Sequence, residues 1–231
     1  MKFSRLAFLS TTLLILVSSN ACAQGVLKGR VLFEGSAPPP EKVEVKSDIP
    51  VCGTHQEVPN IILGADQGVA NAVVRVLGAP GKAEPKKGHL DQIDCQFIPH
   101  VQVVPTGSTL TITSSDAVLH NAHAFNEDGS TAFNIAVPIV GMEIHKKLTK
   151  HGILKLRCDA GHTWMKGSIV VLDEPYYALT DSNGNFTIEG IPPGQYEVEV
   201  WQEWLGRSKQ PVDIKEGSTQ ITLSLKEAKV G

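Results

Sequence analysis

The chain has 231 residues, 42% of them hydrophobic and 6% aromatic, with a formal charge of −3. That is enough apolar material for one long or two short globular domains. The mildly acidic balance, with Lys82, Lys86 and Lys87 as one solvated basic spot, excludes the basic patch that nucleic-acid binding needs.

Residues 1–23 read as an export signal: Lys2 and Arg5, an apolar run from Leu6 to Val17, then Ala21-Cys22-Ala23 as a small-x-small cleavage site. The run is short for a membrane span and no second one follows, so the expected destination is the periplasm or the exterior. Acylation at Cys22 is the competing reading, disfavoured by Ser19 where such a site wants Leu. Cleavage removes two positive charges and takes −3 to −5. It leaves Cys52, Cys95 and Cys158, an odd number for an oxidising compartment. The economical chemistry is a Cys52–Cys95 disulfide, with Cys158 kept reduced because it holds a metal.

Gln24 to Phe33 reads as a first strand, broken by Gly35 and three consecutive prolines up to Pro40. Glu41 to Pro59 is irregular. Val58 to Leu63 reads as a short strand, and the β-branched run from Val69 to Leu77 as a mostly buried one, with Val74 and Val76 on one face and Val73 opposite. After a Pro/Gly/Lys loop, strands are expected on either side of Pro99. Ser108 to Thr113 alternates, Leu110 and Ile112 pointing one way. Phe133 to Val140 is apolar but interrupted by Pro138. Gly152 to Leu156 leads into Cys158, and S-I-V-V-L follows at Ser168 to Leu172. From Ala178 onward, alternating segments are separated by turns at Asp181 to Asn185 and at Pro192-Pro193-Gly194. Nearly every segment has period 2 and no convincing helix of ten residues is present. The fold class is all-β, with sandwiches or barrels of short strands.

Cys158, His162 and Met165 follow C-x3-H-x2-M, and H-N-A-H stands upstream at His120 to His123. A thiolate at a strand end, with an imidazole and a thioether on the return loop, converges on one point. A histidine from a neighbouring strand, His120 or His123, completes a trigonal His2Cys plane with a weak axial Met. Soft sulfur plus nitrogen selects copper, and this set is the electron-transfer arrangement. His100, after a proline, is a further candidate neighbour; His55, His89, His145 and His151 read as surface residues.

The segment 91–172 resembles the cupredoxins, the plastocyanin, azurin and amicyanin family, on L-H-N at Leu119 to Asn121 and on C-x3-H-x2-M. The resemblance implies a Greek-key sandwich with copper held by His120, Cys158, His162 and Met165. It implies Asn121 as the residue that ties the two ligand loops together. His123 is then an additional or substitute ligand, which would turn a blue centre into a tetragonal red one. The Cys-to-His spacing is one residue longer than in plastocyanin or amicyanin and one shorter than in azurin. It equals half of the loop of binuclear copper centres, but Leu154 stands where those need a second cysteine. Trp164, unusual between His and Met, is expected to shield the metal, to form part of a docking surface or simply to pack in the core.

The terminal part, T-D-S-N-G-N-F-T-I-E-G-I-P-P-G-Q-Y at Thr180 to Tyr196, resembles the carboxypeptidase regulatory-like, or transthyretin-like, sandwich. The expected layout is a signal peptide at 1–23, an N-terminal β region at 24–77, the cupredoxin-like domain at 91–172 and the regulatory-like sandwich at 176–229. The region 24–77 is either the first half of a split sandwich or an extension of the cupredoxin. The whole arrangement resembles bacterial secreted proteins labelled methylamine-utilisation-like. Function is expected to be electron transfer through copper to a redox partner by way of an exposed His162 edge. The alternatives are copper storage or delivery, or an envelope binding module, carbohydrate-binding in kind, with a structural metal. No spacing of Ser, His and Asp, or of paired carboxylates, suggests an enzyme.

Overall fold

The computed structural model describes residues 24–227, so the expected leader lies outside the described residues. The chain runs β1 (Gly25–Glu34), β2 (Glu41–Glu44), the one-turn helix α1 (Ile49–Cys52), β3 (His55–Val58) and β4 (Val73–Leu77). It continues through β5 (Lys87–Ile93), β6 (Gln96–Ile98), β7 (Val101–Pro105), β8 (Thr109–Ile112), β9 (His120–Phe125), β10 (Thr131–Val137) and β11 (Ile144–Lys147). The remaining strands are β12 (Gly152–Arg157), β13 (Lys166–Leu172), β14 (Tyr177–Leu179), β15 (Asn185–Ile191), β16 (Gly194–Gln202), β17 (Gly206–Ile214) and β18 (Gly217–Lys226). No helix among the described residues is long and apolar enough to cross a membrane.

Two sandwiches result. The first stacks a five-stranded sheet, β10-β9-β12-β13-β7, on a four-stranded one, β11-β8-β5-β6. Leu90, Phe97, Leu110 and Ile112 from the smaller sheet meet Ala122, Ala124, Leu154, Leu156 and Ile169 from the larger in one core. The second is built from both ends of the chain. β1 pairs antiparallel with β15 and parallel with β18, while β4 pairs with β14 and β16. The first sandwich therefore sits as an insertion between β4 and β14. Alternation decides the faces: Phe186 and Ile188 are buried while Thr187 and Glu189 are exposed. The turn into β15 needs Gly184 at φ 79°, where a Cβ would lie 2.5 Å from the Val31 carbonyl.

A third apolar cluster joins the two. Val73 and Trp201 of the second sandwich pack on Val101, Val103, Ile153, Val170 and Leu172 of the first. This explains why β7 and β13 read as almost continuous apolar runs: both faces of that sheet are covered. Polar contacts border the same interface, with Ser168 Oγ donating to Glu203 at 2.6 Å and His100 Nε2 lying 2.5 Å from the other Glu203 oxygen.

Two strand expectations are corrected. The strand expected over Val58 to Leu63 instead ends at Val58, because Pro59 has no N–H to donate; Leu63 makes one isolated bridge to Val69. The run from Val69 is strand only from Val73, because Asn71 turns left-handed at φ 57°. Strands do flank Pro99, and β10 stops one residue before Pro138.

Truncating Trp201 to Ala in the joining cluster is expected to cost about 3–5 kcal/mol. A thermal melt would read this as a fall on the order of 10 °C. An unchanged melting temperature would show that the two sandwiches do not depend on the contact. A pH effect follows from His100. Burial disfavours its charge, but the hydrogen bond and charge of Glu203 outweigh this and raise its pKa above the ordinary 6.5. A raised histidine pKa contributes stability that is whole below the unfolded value and lost as pH climbs through the folded value. Wild-type protein is thus expected to lose stability above pH 6.5 relative to His100→Gln, in paired denaturant titrations.

Candidate metal centre

Three segments distant in sequence converge at one end of the first sandwich. β9 opens on His120 and places it on the same strand face as Ala122 and Ala124, towards the core. β12 ends at Arg157, and Cys158 is the first residue beyond it. The return loop turns through Gly161 at φ 96°, and the Met165 N–H closes it onto the His162 carbonyl at 2.9 Å before β13 begins.

The side chains meet in a small triangle. Cys158 Sγ lies 3.9 Å from His120 Nδ1 and 3.7 Å from His162 Nδ1, and the two Nδ1 atoms are 2.9 Å apart. His120 and His162 are 0% exposed and Cys158 is 4% exposed. The point equidistant from the three donors lies in their plane, about 2.1 Å from each, within the ~2.0–2.3 Å that nitrogen and sulfur keep from a zinc-sized ion.

The outer nitrogens fix the tautomers. His120 Nε2 is 2.8 Å from Asp116 Oδ2, and His162 Nε2 is 3.0 Å from Asp48 Oδ2. A carboxylate accepts, so each Nε2 carries the proton and each Nδ1 turns a lone pair inward. Two lone pairs 2.9 Å apart, with a sulfur beside them, repel unless a cation lies between. Donor chemistry and geometry therefore both fit a metal. Burial pushes the Cys158 thiol above its ordinary range, with backbone N–H groups of Asn121, Ala160 and His162 acting the other way. Burial likewise lowers His120, and the Asp116 hydrogen bond opposes it without reversing the sign.

The surroundings are held as tightly. Asn121 Oδ1 accepts the Asp159 N–H at 2.5 Å, tying β9 to the loop that carries Cys158. Trp164 is 3% exposed, donates its Nε1–H to the Cys95 carbonyl at 3.0 Å and lies 5.2 Å from the His162 ring. It is a wall of the centre, not a docking surface. Cys95 is bonded to Cys52, and among the described residues Cys158 is the free cysteine. Met165 is fully buried in the same apolar cluster as Cys158 and Trp164.

Two expectations fail here. His123 does not join the triangle: three positions along a strand from His120, it faces the opposite side. Its Nδ1 is 2.5 Å from Asp159 and its Nε2 2.8 Å from Thr131 Oγ1, so both nitrogens are occupied. The His162 edge is also not exposed, because Asp48 covers it. His55, His89, His145 and His151 are at the surface, and His100 is at the interface with the second sandwich.

Sequence reasoning missed Asp116 and Asp48. Asp116 stands four residues before His120, a spacing that could have been noticed; its oxygens also accept the N–H groups of Asp94 and Cys95. Asp48 is 114 residues from His162 and carries no sequence signal.

Comparison with known proteins gives one family match, to polysaccharide lyase family 4, domain II, over residues 163–222. No curated protein matches. Among solved structures, a novel purple cupredoxin from Nitrosopumilus maritimus is 22% identical, over 37% of this chain and 99% of that one, with a TM-score of 0.32. Amicyanin from Paracoccus versutus is 14% identical, over 43% of this chain and 97% of that one, TM-score 0.33. A copper-containing nitrite reductase from Thermus scotoductus is 24% identical over 42% of this chain, TM-score 0.33, and the match spans 24% of that enzyme. The described residues are essentially all-β, in two sandwiches. The family match takes in β13 of the first sandwich and runs on into β18 of the second, and it is not the family that the turn signature resembles.

Asn121→Ala leaves the Asp159 N–H without its acceptor and is expected to cost about 1–3 kcal/mol. Chemical denaturation would measure it. No loss would mean that the loop is positioned without that bond.

Proposed function

We propose that this chain is an exported mononuclear copper protein that carries electrons between redox partners. The observation that carries the reading is the buried triangle of two imidazole nitrogens and one sulfur, each imidazole fixed from behind by a carboxylate. His120, Cys158 and His162 would hold the ion, with Met165 as the weak fourth ligand. Copper supplies a one-electron Cu(I)/Cu(II) couple in such a set. The protein's part is to keep the donors still. Asp116 and Asp48 fix ring orientation, Asn121 fixes the loop, and Trp164 and the apolar core exclude water, which keeps rearrangement on electron gain or loss small.

The disulfide is in keeping with the exported destination that the leader suggests. The second sandwich is read as a non-catalytic buttress of the carboxypeptidase regulatory-like kind, packed on the outer face of the sheet that carries Cys158. No reaction is assigned to the chain.

One observation favours a second reading, copper storage. His162 has no exposed edge, and a closed site holds an ion well. Electron transfer remains the better fit because Asp48, bonded to that imidazole, has a side chain that is 38% exposed.

Copper-loaded protein is expected to show intense visible absorption from thiolate-to-Cu(II) charge transfer, lost in Cys158→Ser, with reversible reduction in voltammetry. Protein that stays colourless with Cu(II) yet retains Cu(I) would favour storage. A preference for zinc, with copper leaving stability unchanged, would favour a structural ion.

A further inference from the structure

Asp48 combines three features that together free its carboxylate from its own helix. It is the N-cap residue of α1, a position where an Asp side chain ordinarily accepts a hydrogen bond from the helix's first N–H groups, and it makes no such bond. Its backbone is left-handed, φ 55° and ψ 29°, which is uncommon for a residue with a Cβ. Its carboxylate is directed instead to His162 Nε2, 114 residues away. Pro50 offers no N–H to cap and the Val51 and Cys52 N–H groups are already held by the Asp48 carbonyl, so the carboxylate is free for the bond to His162, outside the element that bears it.

The segment around Asp48 is fixed independently. β2 pairs with β3, the Val45 N–H donates to the Thr54 carbonyl, and Val45 and Cys52 are buried in the core of the first sandwich. The Cys52–Cys95 disulfide anchors α1 to the turn between β5 and β6. That turn carries the carbonyl to which Trp164 donates and the two N–H groups that Asp116 accepts. Asp48 is thus carried by one covalently pinned unit, and Asp116 is hydrogen-bonded to the same unit.

We propose that Asp48 is a positioning residue that, with Asp116, sets which ion charge the centre prefers. Two carboxylates and one thiolate surround the ion, and each added negative charge stabilises a dication more than a monocation. At an effective dielectric of about 20 a single carboxylate hydrogen-bonded to the far side of a ligand ring shifts that preference on the order of tenfold, allowing for partial exposure. The unit therefore holds the oxidised, divalent form of copper, or another divalent ion, at the expense of Cu(I). This rests on the metal-centre reading above.

The test compares wild type, Asp48→Asn and Asp48→Ala. Asn keeps an acceptor for His162 Nε2 and removes the charge; Ala removes both. Competition titrations give separate affinities for Cu(II), Zn(II) and Cu(I), and voltammetry gives the potential. In Asp48→Asn the ratio of Cu(II) to Cu(I) affinity is expected to fall about tenfold, with the potential moving up to match. In Asp48→Ala, divalent affinity should fall roughly 10–100-fold, and the Cu(II) paramagnetic resonance spectrum should change as His162 loosens. Metal-free melts establish that the variants fold; should Asp48→Ala fail to fold, Asp48→Asn alone decides. An unchanged ratio and potential in Asp48→Asn, with wild type binding copper, would overturn the inference and leave the centre intact. Wild type that binds none of the three ions would overturn the metal-centre reading and this inference with it.

Discussion

Two imidazole lone pairs held 2.9 Å apart beside a sulfur, in a pocket without water access, form the interaction around which the first sandwich is arranged. Such a contact is repulsive by itself. Each ring could relieve it by exchanging tautomers, which would put a proton on one Nδ1, but Asp116 and Asp48 hold both protons on the outer nitrogens. A buried group lacking its counterpart costs more than the same group in water, because the interior screens it less. The folded chain therefore bears a local cost at this point that a bound cation removes.

Bearing that cost needs surroundings that do not relax. Three features supply stiffness. The disulfide fixes the segment that carries Asp48, the Asn121 amide clips the cysteine loop to β9, and Trp164 is wedged between His162 and the disulfide's carbonyl. The second sandwich adds to this from behind. Val73 and Trp201 cover the outer face of β7, β12 and β13, so the sheet ending in Cys158 and restarting after Met165 is packed on both sides. Insertion of the first sandwich between β4 and β14 makes that packing hard to avoid, since both connections must return to the same four-stranded sheet.

Much of this was legible in the sequence where local rules govern. Alternation placed Leu110 with Ile112, and Val74 with Val76, and the odd cysteine count led to the disulfide and the free Cys158. C-x3-H-x2-M marked the loop because its residues are near neighbours in space for the same reason that they are near in the chain. The failures are those of distance. The partition of Val58 to Leu77 depended on one missing proline N–H and on Asn71 turning left-handed. His123 stood as an additional or substitute ligand because it is close to His120 in the chain, and strand geometry turns it to the other face at an odd separation. Asp48 was invisible: it sits in an irregular polar stretch and becomes a partner of His162 only through long-range closure.

Burial of the His162 edge also changes what the centre can exchange with its surroundings. In the proposed centre an ion would be enclosed by His120 and His162, both without exposed surface, with Asp48 bonded to the His162 edge. That makes ion transfer a matter of local unfolding, whose free energy is drawn from the same disulfide, hydrogen bonds and apolar contacts that hold the sandwich. An electron needs no such opening; it needs only a short path and donors that stay in place on a change of charge. In the proposed centre a carboxylate bonded to the ligand ring and partly exposed would lie on such a path, and the clamp that would slow ion release would also keep the donors still. Under the copper reading proposed above, the closed architecture would hinder the ion more than the electron.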